Sequence, residues 1–124
     1  MSYRTVGNLF FRSHLFGNYM TESASTRDKI IDAAFSFYRK PVFTNISLSQ
    51  IAQKVGISKA AIFKHFPRKA SIRQAMNARM FDGIAEVVRR MLECYQNGKR
   101  IEAMSEAVDF LVNHREYVMY FQSQ

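Results

Sequence analysis

The chain has 124 residues, 48% of them hydrophobic and 14% aromatic, which is enough to form one small core and excludes wholesale disorder. No apolar run approaches the roughly 18 residues of a membrane span, and the single cysteine, Cys94, excludes an internal disulfide and favours the cytoplasm. The net charge of +8 is concentrated in residues 26–80, where eleven lysines and arginines face two acids, Asp28 and Asp32. In residues 81–124, seven acidic residues outnumber five basic ones, so the composition predicts a module for a polyanion joined to a module with another role.

Residues 1–24 show no helical or strand periodicity, and we predict that they form a disordered extension. Their apolar residues 9–11 are followed at once by Arg12, so a secretory leader is not indicated. Met20 precedes a short polar stretch and the first periodic helix, and we expect it to be the natural start. The alternative is a basic arm that reaches into the minor groove of a nucleic acid.

From Ser25 onwards, the spacing of apolar residues predicts helices and no strands. The first helix covers about residues 26–39, has Ser25 and Asp28 as a cap pair, and ends at Pro41. Its predicted core stripe consists of Ile30, Ala34, Phe37 and Tyr38. Further helices are predicted at about 48–54, 59–65, 69 to the mid-90s, 100–113 and from about 115. An Asn97-Gly98 turn lies between the last two long helices.

Residues 48–66 have the spacing of a helix-turn-helix, in which two short helices cross closely. Ala52 is the small residue where the backbones approach, Gly56 supplies a positive φ in the turn, and Ile62 fills the angle between the helices. Ser47 with Gln50 forms a capping-box pattern, and Ser58 is the N-cap of the second helix. The alternative is an ordinary antiparallel helix pair joined by a glycine turn.

The second helix of this motif is predicted to enter the major groove of DNA and contact base edges with its N-terminal residues. Lys59 is expected to donate to guanine, and the Ala60 methyl to contact a thymine methyl. Ser47, Lys64, His65, Arg68 and Lys69 are expected to contact phosphates. The predicted DNA-binding residues are Ser47, Ser58, Lys59, Ala60, Phe63, Lys64, His65 and Lys69.

Residues 26–76 also resemble the DNA-binding domain of TetR-type (tetracycline-repressor-like) transcriptional regulators. The matching segments are Thr26 to Ala34, Phe43, Ser47 to Ala52, Val55 to Lys59, Phe63 to Phe66, and Lys69. The resemblance implies an all-α fold, a homodimer bound to a palindromic operator in double-stranded DNA, and repression relieved by a small-molecule effector.

The sequence departs from the family pattern at several positions. Phe63 stands where the family usually has tyrosine, whose hydroxyl commonly contacts a phosphate. Ala60-Ala61 replaces the frequent Gly-Thr, and Val42 replaces a usual glycine. Family members normally continue well beyond this length, so we expect a truncated or short member. Residues 25–70 would form the DNA-binding domain and residues 71–124 an incomplete regulatory and dimerisation domain, which dimerises only if this short part suffices.

Nine apolar or sulfur-containing residues of the C-terminal part are candidates for an effector pocket, for the core, or for an exposed adhesive surface. They are Met91, Cys94, Tyr95, Met104, Phe110, Tyr117, Met119, Tyr120 and Phe121. The histidines His14, His65 and His114 are far apart, and no metal-ligand spacing or phosphate loop occurs. We therefore predict no catalytic site, cofactor or metal. The alternative function is a helical protein-interaction module, or a truncated regulator that no longer binds DNA productively.

Overall fold

The computed structural model describes residues 24–39 and 45–124, which contain six α-helices, one 3₁₀ helix and no strand. In chain order, α1 (Thr26–Ser36) continues into the 3₁₀ helix (Phe37–Arg39). The others are α2 (Leu48–Val55), α3 (Lys59–His65), α4 (Lys69–Gln96), α5 (Arg100–Asn113) and α6 (Arg115–Gln122). The predicted all-α fold is confirmed. The predicted disordered extension up to residue 23, the helix stop at Pro41, and Val42 lie outside the described residues.

The two ends of α1 follow from local hydrogen bonding. At its start, Ser25 Oγ accepts a hydrogen bond from the Asp28 N–H at 3.1 Å, as the predicted cap pair requires. The helix was predicted to continue to about residue 39, but its last three residues form a 3₁₀ helix instead. The Phe37 N–H donates to the Ala34 carbonyl, an i to i+3 bond that satisfies a terminal carbonyl within a tighter turn.

The core surrounds α1, which contacts α2 and α3 as well as α4 and α6. Two residues of its predicted stripe, Ile30 and Ala34, are buried, while Phe37 and Tyr38 are half-buried and pack against the same core. Ile31, Ala33 and Phe35 are buried too, because α1 has neighbours on more than one side. We call α1, α2 and α3 the head. The rest of the core is formed by Ile51, Ala52, Ile62, Phe66, Ile72, Met76, Met80 and Tyr120.

The 28-residue helix α4 starts in the head core and ends in an antiparallel hairpin with α5. At the predicted turn, Gly98 has a φ of 76°, and the Lys99 N–H donates to the Cys94 carbonyl at 2.8 Å. Between the two helices, Val87, Cys94 and Ala103 are buried, and Arg90 Nε lies 2.9 Å from Glu106 Oε2. No helix in the described ranges, α4 included, is both long and apolar enough to cross a membrane.

Helix α6 returns from the hairpin to the head and completes its core. The hydroxyl of the buried Tyr120 donates to Asn77 Oδ1 at 2.6 Å, and its ring lies 5.5 Å from Phe35 and 5.1 Å from Tyr38, both edge to face. Glu116 accepts from the Arg39 guanidinium at 3.4 Å, which fastens α6 to the end of the 3₁₀ helix. The predicted domain boundary near residue 70 therefore falls between helices that share one core.

The nine C-terminal candidates for a pocket are distributed over different environments. Cys94 and Tyr120 are buried in the interior, whereas Tyr95, Met104 and Phe121 are 59%, 69% and 64% exposed. The remaining four are half-buried. Tyr117 lines an open groove of about 560 Å³ between the head and α6, and Tyr120 lines another of about 440 Å³. These nine residues therefore do not enclose one common cavity.

The junction between α5 and α6 makes stability dependent on pH through His114. Its ring stacks on Tyr117 at 4.7 Å, and burial lowers the pKa of His114, opposed by Glu116 and reinforced by Arg39 and Arg90. An unfolded histidine takes up its proton near pH 6.5, whereas the folded one does so only at lower pH. Acid therefore favours the unfolded chain, and the stability present above about pH 6.5 decreases as the pH falls below it.

We expect the thermal unfolding midpoint, followed by circular dichroism, to decrease between about pH 7.5 and about pH 5.5. In His114→Gln, which has no imidazole to protonate, this decrease should be smaller. An equal decrease in both proteins would contradict the assignment to His114.

Candidate nucleic-acid interface

The angle between α2 and α3 is built by the three residues that define a helix-turn-helix. Ala52 is 4% exposed where the helices approach, and its carbonyl accepts from the N–H groups of Gly56 and Ile57 at 2.9 and 3.0 Å. Gly56 has a φ of 82°, and a Cβ there would meet no atom within 4 Å. The turn therefore requires glycine for its backbone conformation and not for lack of space. Ile62 is fully buried in the angle, so the predicted motif is confirmed.

The predicted caps fix where α2 and α3 begin. Ser47 and Gln50 form a complete capping box, with the Ser47 N–H donating to Gln50 Oε1 at 2.8 Å and Ser47 Oγ accepting from the Gln50 N–H at 3.1 Å. Ser58 Oγ accepts from the Ala61 N–H at 3.0 Å. The Ser47 N–H already donates to Gln50, so the hydroxyl is the group of Ser47 that can donate to a phosphate. Helix geometry leaves the N–H groups of Leu48 and Ser49 without acceptors inside α2.

One surface of α3 is turned away from the core, and we call it the α3 face: Lys59, Ala60, Phe63 and Lys64. With about 100° of rotation per residue, Ala60 and Lys64 lie opposite the buried Ile62, one helical turn apart. Lys59 and Phe63 lie along one edge, also one turn apart. All eight predicted DNA-binding residues are exposed, so each is accessible to a ligand. Their individual contacts with bases or phosphates stay predictions.

The acidic residues of the basic segment lie on α1 and are both bound by one arginine. Arg79 of α4 lies 2.8 Å from Asp28 and also pairs with Asp32. These pairs fasten α4 to α1 across a separation of about 50 residues. Residues 26–80 contain no other acid, and the α3 face itself bears two lysines and no carboxylate. The result is a surface of predominantly positive charge, suited to a polyanion.

Arg27 is a positioning residue that the sequence analysis did not identify. Its guanidinium donates to the His65 carbonyl at 3.1 Å and lies 4.3 Å from the centre of the Phe66 ring. It thereby satisfies a carbonyl at the C-terminal end of α3 and ties that end to α1. Arg27 and His65 are 38 residues apart, and no local pattern indicates this pairing. The arginine also adds positive charge beside His65.

The arrangement provides one protruding helix with a basic and apolar face, together with positive charge at both of its ends. A helix of this kind fits the major groove of DNA, where lysine donates to guanine and methyl groups contact thymine. Ser47 at the start of α2 and Lys69 at the start of α4 are also exposed, and hydroxyl and ammonium groups are donors that phosphates accept.

Comparison with known proteins agrees with this geometry. Residues 30–76 match the family model described as bacterial regulatory proteins, tetR family. The HTH-type transcriptional regulator SrpR of Pseudomonas putida is 37% identical over 57 residues, which are 46% of this chain and 27% of SrpR. The uncharacterized HTH-type transcriptional regulator TtgW, also of Pseudomonas putida, is 37% identical over 57 residues, which are 46% of this chain and 42% of TtgW.

A match of greater extent involves IcaR of Staphylococcus aureus (strain Newman), described as the negative transcriptional regulator of the biofilm operon icaADBC. It is 28% identical over 99 residues, which are 77% of this chain and 52% of IcaR. No solved structure matches the chain. The chain thus spans about a quarter to a half of the length of these relatives.

Proposed function

We propose that this chain, whose residues 30–76 belong to the tetR family of bacterial regulatory proteins, is a sequence-specific DNA-binding transcriptional repressor of the cytoplasm. The observation that carries the proposal is the α3 face, a lysine-bearing surface held outward by the Ala52–Gly56–Ile62 angle. Repression, and not activation, is supported by the description of IcaR as a negative regulator.

In the proposed complex, α3 lies in the major groove of double-stranded DNA. Ser47, Lys64, His65 and Lys69 contact phosphates and fix the position of the head, whereas Lys59 and Ala60 contact base edges. Phe63, which is 43% exposed and lacks a hydroxyl, offers an apolar surface to a thymine methyl or a sugar. Two heads of a homodimer would bind the halves of a palindrome about one helical turn apart.

The proposal is tested by fluorescence anisotropy of labelled DNA from the chain's own upstream region, with scrambled DNA of the same composition as competitor. If a head engages about five phosphates, log affinity should fall with log salt with a slope of roughly −4 to −5 per bound head. Lys59→Ala/Lys64→Ala should weaken binding about 30-fold or more, which corresponds to roughly 2 kcal/mol.

The matched control removes two positive charges outside the head. Lys99→Ala/Arg115→Ala has the same net charge as the Lys59/Lys64 variant, and both of its positions lie beyond α4. We expect it to retain the affinity of the wild type within about threefold, because neither residue belongs to α2, α3 or the start of α4. Equal losses of DNA affinity in both variants would show that Lys59 and Lys64 act only through nonspecific charge. No DNA binding at low salt would overturn the proposal and favour a helical protein-interaction module.

A further inference from the structure

An open groove of about 440 Å³ lies beside the first two turns of α4, and we call it the head groove. Side chains of α1, α2, α4 and α6 line it. A volume of this size lies within the roughly 300–1,000 Å³ that is typical of small-molecule sites. The floor of the groove is apolar and consists of buried residues of the core: Ala34, Ile51, Ile72, Met76 and Tyr120.

The rim of the head groove is positively charged. Lys69 and Arg73 both line it, are exposed, and lie one helical turn apart on α4. Among the described residues that line the groove there is no acid, and neither cation forms a salt bridge within the described part of the chain. The larger groove differs, because its arginines Arg39 and Arg79 are each bound by a carboxylate.

Several neutral polar groups at the groove are already occupied as donors. The Tyr120 hydroxyl donates to Asn77 Oδ1, and burial raises the pKa of Tyr120, so that its hydroxyl stays neutral at physiological pH. The Ser123 hydroxyl and the Gln124 amide donate to the Tyr120 carbonyl at 2.6 and 3.3 Å. The ammonium of Lys69 and the guanidinium of Arg73 are therefore the charged donors left to bind a ligand.

Two neighbouring cations above an apolar floor fit a ligand with a carboxylate at one end and an apolar body. A guanidinium binds a carboxylate through two parallel hydrogen bonds, and an ammonium adds a point charge. The apolar body removes the floor from water. A neutral alcohol would leave both cations without a partner, and a small inorganic anion or a DNA phosphate would leave the floor uncovered.

We propose that the head groove binds a small amphiphilic carboxylate, whose charged end lies between Lys69 and Arg73 and whose apolar body lies on the buried floor. Of the nine C-terminal residues that the sequence offered as candidates for a pocket, only Tyr120 takes part. The ligand thus binds at the DNA-binding head itself, where α4 begins.

Occupation of the head groove competes with DNA, because Lys69 belongs to both sites. This step rests on the proposed function, in which Lys69 contacts a phosphate. A bound carboxylate neutralises the lysine and places a negative charge near the phosphate backbone. The ligand should therefore weaken DNA binding about as much as the loss of Lys69 does, and bound DNA should weaken ligand binding by the same factor.

The first test is isothermal titration calorimetry of the full chain with sodium octanoate, without DNA. We expect a dissociation constant of roughly 0.1–1 mM, which is ordinary for a ligand of about ten heavy atoms. Octanol lacks the charge and acetate lacks the apolar chain, so both should bind at least 10-fold more weakly. Arg73→Ala should weaken octanoate binding at least 10-fold, and circular dichroism should show an unchanged helical content, since Arg73 is exposed.

The matched control is Arg115→Ala, which removes the same side chain from an exposed position of α6 outside the head groove. It should bind octanoate as the wild type does. No binding of octanoate at about 10 mM, or equal affinity for octanol, would overturn the proposal. Unchanged octanoate binding by Arg73→Ala would also overturn it, since the ligand would then lie elsewhere, for example on the exposed apolar residues of α5.

The second test measures competition, by fluorescence anisotropy of labelled DNA at constant ionic strength. Saturating octanoate should raise the dissociation constant for DNA about fivefold in the wild type and less than twofold in Lys69→Ala. Bound octanoate without any effect on DNA affinity would overturn the competition for Lys69. Calorimetry of octanoate needs no DNA, so failure of this proposal is distinguishable from failure of the proposed function.

Discussion

Replacing Ile62 with alanine is expected to lower the free energy of unfolding by about 2–5 kcal/mol. Ile62 is fully buried in the angle between α2 and α3, where it packs in one core with Ile51, Ala52 and Phe66. Alanine would leave a cavity that the short helices cannot close without changing the angle between them. Because small domains are stable by roughly 5–15 kcal/mol, a large fraction of the chain's stability depends on this side chain.

The adjacent residue supplies a matched control for this prediction. Phe63 is larger than Ile62 but is 43% exposed, so Phe63→Ala should cost less than about 1.5 kcal/mol. Both variants can be compared by urea unfolding followed by circular dichroism, with an unchanged dependence on urea concentration as evidence for the same unfolding transition. Equal losses of stability, or a larger loss for Phe63→Ala, would show that the two residues do not have the buried and outward orientations described above.

The parts of the molecule that could be predicted from the sequence are those determined by neighbouring residues. The Ser47–Gln50 capping box, the Ser58 cap and the positive φ of Gly56 involve residues that are at most a few positions apart. Their energetics are therefore contained in a short stretch of sequence. The exposure of the α3 face follows from the same periodicity once Ile62 is assigned to the core.

The features that were missed depend on contacts between distant residues. Arg27 binds the end of α3 across 38 residues, and Arg79 reaches Asp28 across 51. The position of Tyr120 in the head core depends on α6 folding back, which no local pattern specifies. The exposed apolar residues of α4 and α5 have a similar ambiguity. Periodicity shows that a helix has an apolar side, but Met104 and its neighbours could equally face a core, a pocket or a second chain.

Lys59 and Lys69 should affect DNA binding in different ways, although both are exposed lysines at the start of a helix. Lys59 belongs to the α3 face, so Lys59→Ala should remove a base contact and reduce the preference for specific over scrambled DNA by about 5- to 150-fold. In the proposed complex, Lys69 contacts the phosphate backbone beside α3. Lys69→Ala should therefore weaken binding to both DNAs alike, by roughly fivefold, and make the salt slope shallower by about one.

Lys54→Ala provides the control for a charge removed from the same head but not from the α3 face. The Lys54 ammonium lies 4.9 Å above the Phe37 ring, at the end of α1, so its loss should change neither the preference for specific DNA nor the salt slope by a measurable amount. All three variants are compared by anisotropy with specific and scrambled duplexes over one salt series. If Lys59→Ala weakened binding to both DNAs alike, Lys59 would be a phosphate contact. Discrimination between sequences would then have to come from Ala60, Phe63 or the shape of the DNA.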